Sequence, residues 1–158
     1  MFGDDDLEAR AARGSAISTL AGVVVGAAIW IYVDGAAMGA TSSITQSVTG
    51  YSWILIVCSI LAYLMINAMA WSQLIDEDSG TTTRARLFLI VAVVIQLVVL
   101  CMGGFVLGTV YLSKEHSGMV DAWGGVSIFV SNLLIALACW GQRLATLPPK
   151  DDSSVGLL

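Results

Sequence analysis

The sequence predicts an all-α integral membrane protein, a four-helix bundle with both termini cytosolic. Three observations carry that reading. Hydrophobic residues make up 57% of the 158 residues and charged residues only 12%, with mean hydropathy +0.84, outside the balance of a soluble globular chain. The charges gather into short blocks between four apolar runs, at residues 15–33, 51–73, 87–112 and 122–143. Each run is close to or above the about 20 helical residues that cross a hydrocarbon core of about 30 Å. Finally, six of the seven basic residues fall on one side of a four-span chain: Arg10 and Arg13, Arg84 and Arg86, and Arg143 and Lys150. Only Lys114 lies opposite. Basic residues near span ends set orientation and acids contribute little, so Asp76, Glu77 and Asp78 leave the assignment unchanged. A membrane domain over residues 15–144 then has short cytosolic tails at 1–14 and 145–158.

The first run follows the leader MFGDDDLEARAARG, which has three consecutive aspartates. It is longer than the about 7–15 apolar residues of a signal core, so the expectation is a retained span. The small residues GAAMGA at 35–40 are the one stretch that fits cleavage. Within this run, Gly22 and Gly26 form a GxxxG pair of the kind that lets membrane helices approach closely. Asp34 ends it in the segment WIYVDGAAM, where an interfacial carboxylate reaches water. An acid that couples protons or binds ions would be expected deeper, with partners.

The second run carries the amide Asn67 in YLMINAMAWSQLIDED, a stretch that ends in an acid cluster. An unpaired amide in hydrocarbon costs roughly 2–7 kcal/mol depending on reference state, so Asn67 needs a partner or a purpose. The third run adds Gln96 and a second GxxxG pair, Gly104 and Gly108, preceded by Gly103. The fourth opens with Gly124 and Gly125 and contains Ser127, Ser131 and Asn132. A helical rise of about 1.5 Å per residue brings Asn67, Gln96 and Asn132 to similar depths. They are expected to bond to one another across helices, each bond worth about 0.6–2 kcal/mol. A polar path for a solute and a contact with a partner protein are the alternatives. The glycine pairs divide in the same way between packing inside the bundle and docking another protein.

Aromatic residues agree with the proposed edges. Trp30, Tyr32, Tyr51, Trp53, Tyr111 and Trp123 lie near one interface, and Trp71, Phe88 and Trp140 near the other. Cys58, Cys101 and Cys139 all fall inside runs, so no disulfide framework is implied and small apolar packing is their simplest role. His116, the only histidine, stands near Glu115 and Asp121 without a metal-ligand spacing. No nucleophile elbow, phosphate loop or cysteine–histidine pair is present, so the expectation is no enzyme, no cofactor and no metal. A net charge of −5 without a basic patch speaks against nucleic acid. The terminal SSVGLL approaches an acidic dileucine signal, but Asp152 sits one residue too far from Leu157, and a disordered tail is expected.

WIYVDGAAM and YLMINAMA resemble segments of the transmembrane protein 50 family, also called uncharacterised protein family 0220, which includes fungal vacuolar-protein-sorting members. Weaker similarity lies in the charged leader, the opening of the third run, Gly103–Gly104 and Asn132. The loop MGATSSITQSVTGY and the tail LPPKDDSSVGLL depart from the pattern. The resemblance implies a non-enzymatic subunit or scaffold acting in late-endosome-to-vacuole or lysosome sorting. It also implies a partner, another small four-span protein of the leptin-receptor-overlapping-transcript family. Asp34 and Asn67 come with it only as family-like positions. The residues leave two further readings open, an accessory subunit of a larger membrane complex and an oligomeric small transporter or channel.

Overall fold

The structure, a computed structural model, describes residues 4–41, 48, 50–69, 74, 79–112 and 122–145. Among these residues all regular structure is helical: α1 (Asp4–Thr41), α2 (Ser52–Ala68), α3 (Ser79–Val106), and α4 (Trp123–Ala145). A π-helical turn, Leu107–Tyr111, continues α3. The chain's two prolines, Pro148 and Pro149, come after α4, so none interrupts a helical hydrogen-bond ladder. The expectations for the His116 loop, Trp71, the Asp76–Asp78 cluster and the tail beyond Ala145 lie outside the described residues.

Helix α4 is the centre of the bundle and touches α1, α2, α3 and the π turn, while α1 is joined to the rest mainly along α4. The sequence of α4 explains its position. Gly124, Gly125, Ser127, Ser131, Ala136, Ala138 and Cys139 are all small and all buried. Lipid tails provide no hydrophobic drive between helices, so close backbone approach at small residues becomes the main source of packing energy. A helix with small residues around much of its circumference accepts neighbours on several sides. The outer helices show the converse. Leu20, Val23 and Trp30 on α1, and Ile90, Val94, Leu97 and Phe105 on α3, are large, apolar and exposed, a surface suited to acyl chains rather than water.

Three helical segments are long and apolar enough to cross a membrane: Ala12–Thr41, Thr82–Tyr111 and Trp123–Ala145. The fourth expected span is shorter. Helix α2 has 17 residues, which at about 1.5 Å per residue covers about 26 Å; residues 70–73 of the expected run lie outside the described set. Helix α1 departs in the other direction, extending well past Val33. The small-residue segment 35–40, which lies beyond the expected end of the first run, is helix. Alanine and methionine favour it, and Gly35 and Gly39 are buried.

The span count has a direct test. If α2 crosses, the termini share a side, so protease on sealed vesicles should remove tags from both ends. Protection of one tag only would mean that α2 does not cross.

Candidate functional site

At the N-terminal end of α4, α1 and α4 come into close contact. A Cβ at position 35 would overlap the Ser127 side chain, and it would stand 3.7 Å from the Trp123 carbonyl oxygen. Ser127 is itself held by a hydrogen bond to the Gly124 carbonyl at 2.8 Å. Beside this contact the Trp123 Nε1–H donates to Asp34 Oδ2 at 2.9 Å. Asp34 is therefore an exposed acid on the seam, tied to α4 rather than free at a helix end. The π turn serves the same end of the bundle. Leu112 N–H reaches back five residues to Leu107 O at 3.0 Å, and the widened turn carries the buried Tyr111 over Gly125. A Cβ on Gly125 would lie 2.5 Å from the Tyr111 ring. Tyr32 completes the cluster, edge-on to Trp53 with ring centroids 4.9 Å apart.

At mid-helix the three amides do not meet. Gln96 donates to the Ser59 hydroxyl at 3.0 Å, joining α3 to α2. Asn132 donates to Ile128 O of its own helix at 2.7 Å. Asn67 donates to Tyr63 O, also on its own helix, at 2.9 Å, with a longer contact of 3.8 Å to Cys139 Sγ. The expected amide–amide pairing is thus replaced by separate bonds, and side-chain length gives the reason. A short asparagine reaches the carbonyl four residues back without leaving its helix, whereas glutamine, one methylene longer, spans to a neighbour. The Oδ1 of Asn132 and the Oε1 of Gln96 are buried without a hydrogen-bond partner.

A further interhelical polar group lies near the C-terminal end of α4. Tyr63 OH donates to Gln142 Oε1 at 2.9 Å, and Gln142 Nε2 donates to Ser18 Oγ at 3.1 Å. One side chain of α4 therefore links α1 and α2. The buried Arg143 donates through Nη1 to Met69 O at 2.6 Å, and Arg86 donates through Nη2 to Leu74 O at 3.2 Å. Arg143 thereby satisfies the carbonyl of the residue that caps the C-terminal end of α2, where a helix leaves acceptors unpaired and favours positive charge.

A family model described as Uncharacterised protein family (UPF0220) matches residues 4–145. The chain belongs to this family. No curated protein and no solved structure matches it. The matched range begins at the first residue of α1 and ends at the last residue of α4, so the UPF0220 unit coincides with the helical bundle.

Within that unit the two glycine pairs stand in different surroundings. A Cβ added at Gly22, Gly26 or Gly108 meets nothing within 4 Å, while one at Gly104 would touch the Phe129 ring at 3.5 Å. The glycine that packs α1 against α4 is Gly35, in line with buried Ala21 and Ala28, and Gly39 is buried as well. Positions 21, 28 and 35 recur every seven residues, and that spacing was the signal available in the sequence. Gln142 and Tyr63 gave less warning, being a glutamine and a tyrosine near the ends of apolar runs. The cysteines are free, and only Cys139 is buried. Among the described residues no three His, Cys, Asp or Glu side chains gather in a metal-binding group.

Proposed function

We propose that this UPF0220 protein is a non-enzymatic scaffold subunit of a membrane protein-sorting complex, working by lateral pairing with another multi-span protein. The supporting observation is the placement of α1. It is fastened to the bundle mainly along α4, and Gly22 and Gly26 remain exposed, with room beside both. In lipid, a small-residue face gives a partner helix the close approach that drives association. The resemblance to transmembrane protein 50 and its fungal vacuolar-protein-sorting members supports a site of action between late endosome and vacuole or lysosome. It also supports a partner of the leptin-receptor-overlapping-transcript family. In this reading α2 is the fourth span, with the local bilayer thinned or its flanking residues reaching outward to match its length.

The test is a photo-crosslinking residue at position 22 of the full chain in native membranes. A heteromeric adduct with a second four-span protein is expected, lost in Gly22→Leu/Gly26→Leu protein that still inserts. Adducts made only of this chain would overturn the scaffold reading in favour of the oligomeric transporter or channel. Gly104→Leu should behave otherwise, lowering bundle stability through Phe129.

A further inference from the structure

Where α1 and α4 meet, a groove of about 440 Å³ is lined by Trp30, Ile31, Val33, Asp34, Ala37 and Trp123. Its size falls in the range of roughly 300–1,000 Å³ usual for small-ligand sites. Two indoles and one carboxylate are the only polar-bearing side chains in an otherwise aliphatic lining. Residues 30, 34 and 37 share a face of α1 by their spacing of four and three. Trp123 is the first residue of α4, so the groove opens at a helix end, where tryptophan marks the boundary between headgroups and tails.

We propose that this groove holds the quaternary ammonium headgroup of a choline lipid. The charge in the groove is negative, and the described residues give Asp34 one hydrogen-bond partner, the Trp123 indole, and no cation. That hydrogen bond engages Oδ2 and ties the carboxylate to Trp123, another residue of the groove's lining. An anionic headgroup would be repelled. A primary ammonium carries three N–H donors, and a single carboxylate among carbon side chains leaves most of them unsatisfied. A trimethylammonium group has no donors to satisfy. It needs diffuse negative charge and aromatic surface, the chemistry of an aromatic cage, and Asp34 with Trp30 and Trp123 provides both. The lipid phosphate, held off by the choline arm, remains in water, and the acyl chains lie along the apolar outer surface of α1.

The experiment is native mass spectrometry of the full chain in mild detergent, with an equimolar mixture of phosphatidylcholine, phosphatidylethanolamine and phosphatidylglycerol of identical acyl chains. Phosphatidylcholine should be retained about two- to thirty-fold over phosphatidylglycerol, the range expected for a cation over indole rings, and measurably over phosphatidylethanolamine. Asp34→Asn removes the charge while keeping an acceptor for the Trp123 indole, and it should abolish the preference. Trp30→Ala should reduce it; Trp30 is 73% exposed, so this variant leaves the bundle intact and decides the matter should Asp34→Asn fail to fold. Equal retention of the three headgroups, or a preference that survives both substitutions, would overturn the proposal. Equal retention of choline and ethanolamine lipids over the glycerol lipid would overturn its quaternary-ammonium part in favour of any cationic headgroup.

Discussion

Gly35→Ala is expected to destabilise the bundle by about 1–3 kcal/mol, the usual cost of overpacking a close contact. Two effects oppose each other. Alanine is the better helix former by about 1 kcal/mol in a helix interior, which favours the substitution. Against it, the new Cβ would overlap the Ser127 side chain on α4, and the overlap includes Ser127 Cβ, which no rotamer change can move away. The helices must separate, and contacts at Ala28 weaken along the same seam. Gly22→Ala and Gly26→Ala gain the same propensity with nothing in the way, so they should be neutral or slightly stabilising. Unfolding of purified protein by titration with a denaturing detergent would separate these cases. Ser127→Gly introduced into Gly35→Ala should recover most of the loss, because it removes the colliding atoms. A Gly35→Ala protein as stable as the parent would mean that the α1–α4 seam is looser than described.

This contact also shows what the sequence could and could not convey. The helical class and three helices long and apolar enough to cross a membrane were legible because hydrocarbon thickness sets a length for a crossing helix, and composition reports it directly; the expected fourth span corresponds to the shorter α2. The identity of the packed face was not. GxxxG at 22–26 and GxxxG at 35–39 are the same pattern; which one is buried depends on where α4 lies. Only the sevenfold recurrence of small residues at 21, 28 and 35 distinguishes them, and it needs an assumption about which helix is the partner. The amides failed for a different reason. Rise per residue sets a side chain's height along its helix, but it does not fix the helix's rotation. Asn132 found its own helix and Gln96 found Ser59. Asp34 is exposed, as expected of an acid that reaches water, yet its indole partner depends on α1 continuing as helix past residue 34, which the small-residue segment GAAMGA concealed.

Gln142→Met is expected to lower stability by about 1–3 kcal/mol, since it removes two interhelical hydrogen bonds that in membrane proteins contribute about 0.6–1.7 kcal/mol each. Methionine nearly preserves the length and volume of glutamine, so the change reports on polarity rather than packing. The two bonds should not contribute equally. The Tyr63 bond is part-buried, whereas the Ser18 bond is exposed, where water or headgroups compete for both groups. A double-mutant cycle between Tyr63→Phe and Gln142→Met should therefore give a coupling of about 0.6–1.7 kcal/mol, and one between Ser18→Ala and Gln142→Met a smaller value. Additive effects in the first cycle would show that Tyr63 and Gln142 do not support each other in the membrane. Strong coupling there with none to Ser18 would place the stabilising link between α2 and α4 alone. Helix α1 would then be held by its small-residue seam, and the Gly35 contact, rather than any hydrogen bond at the Gln142 end, would decide whether it stays docked on α4.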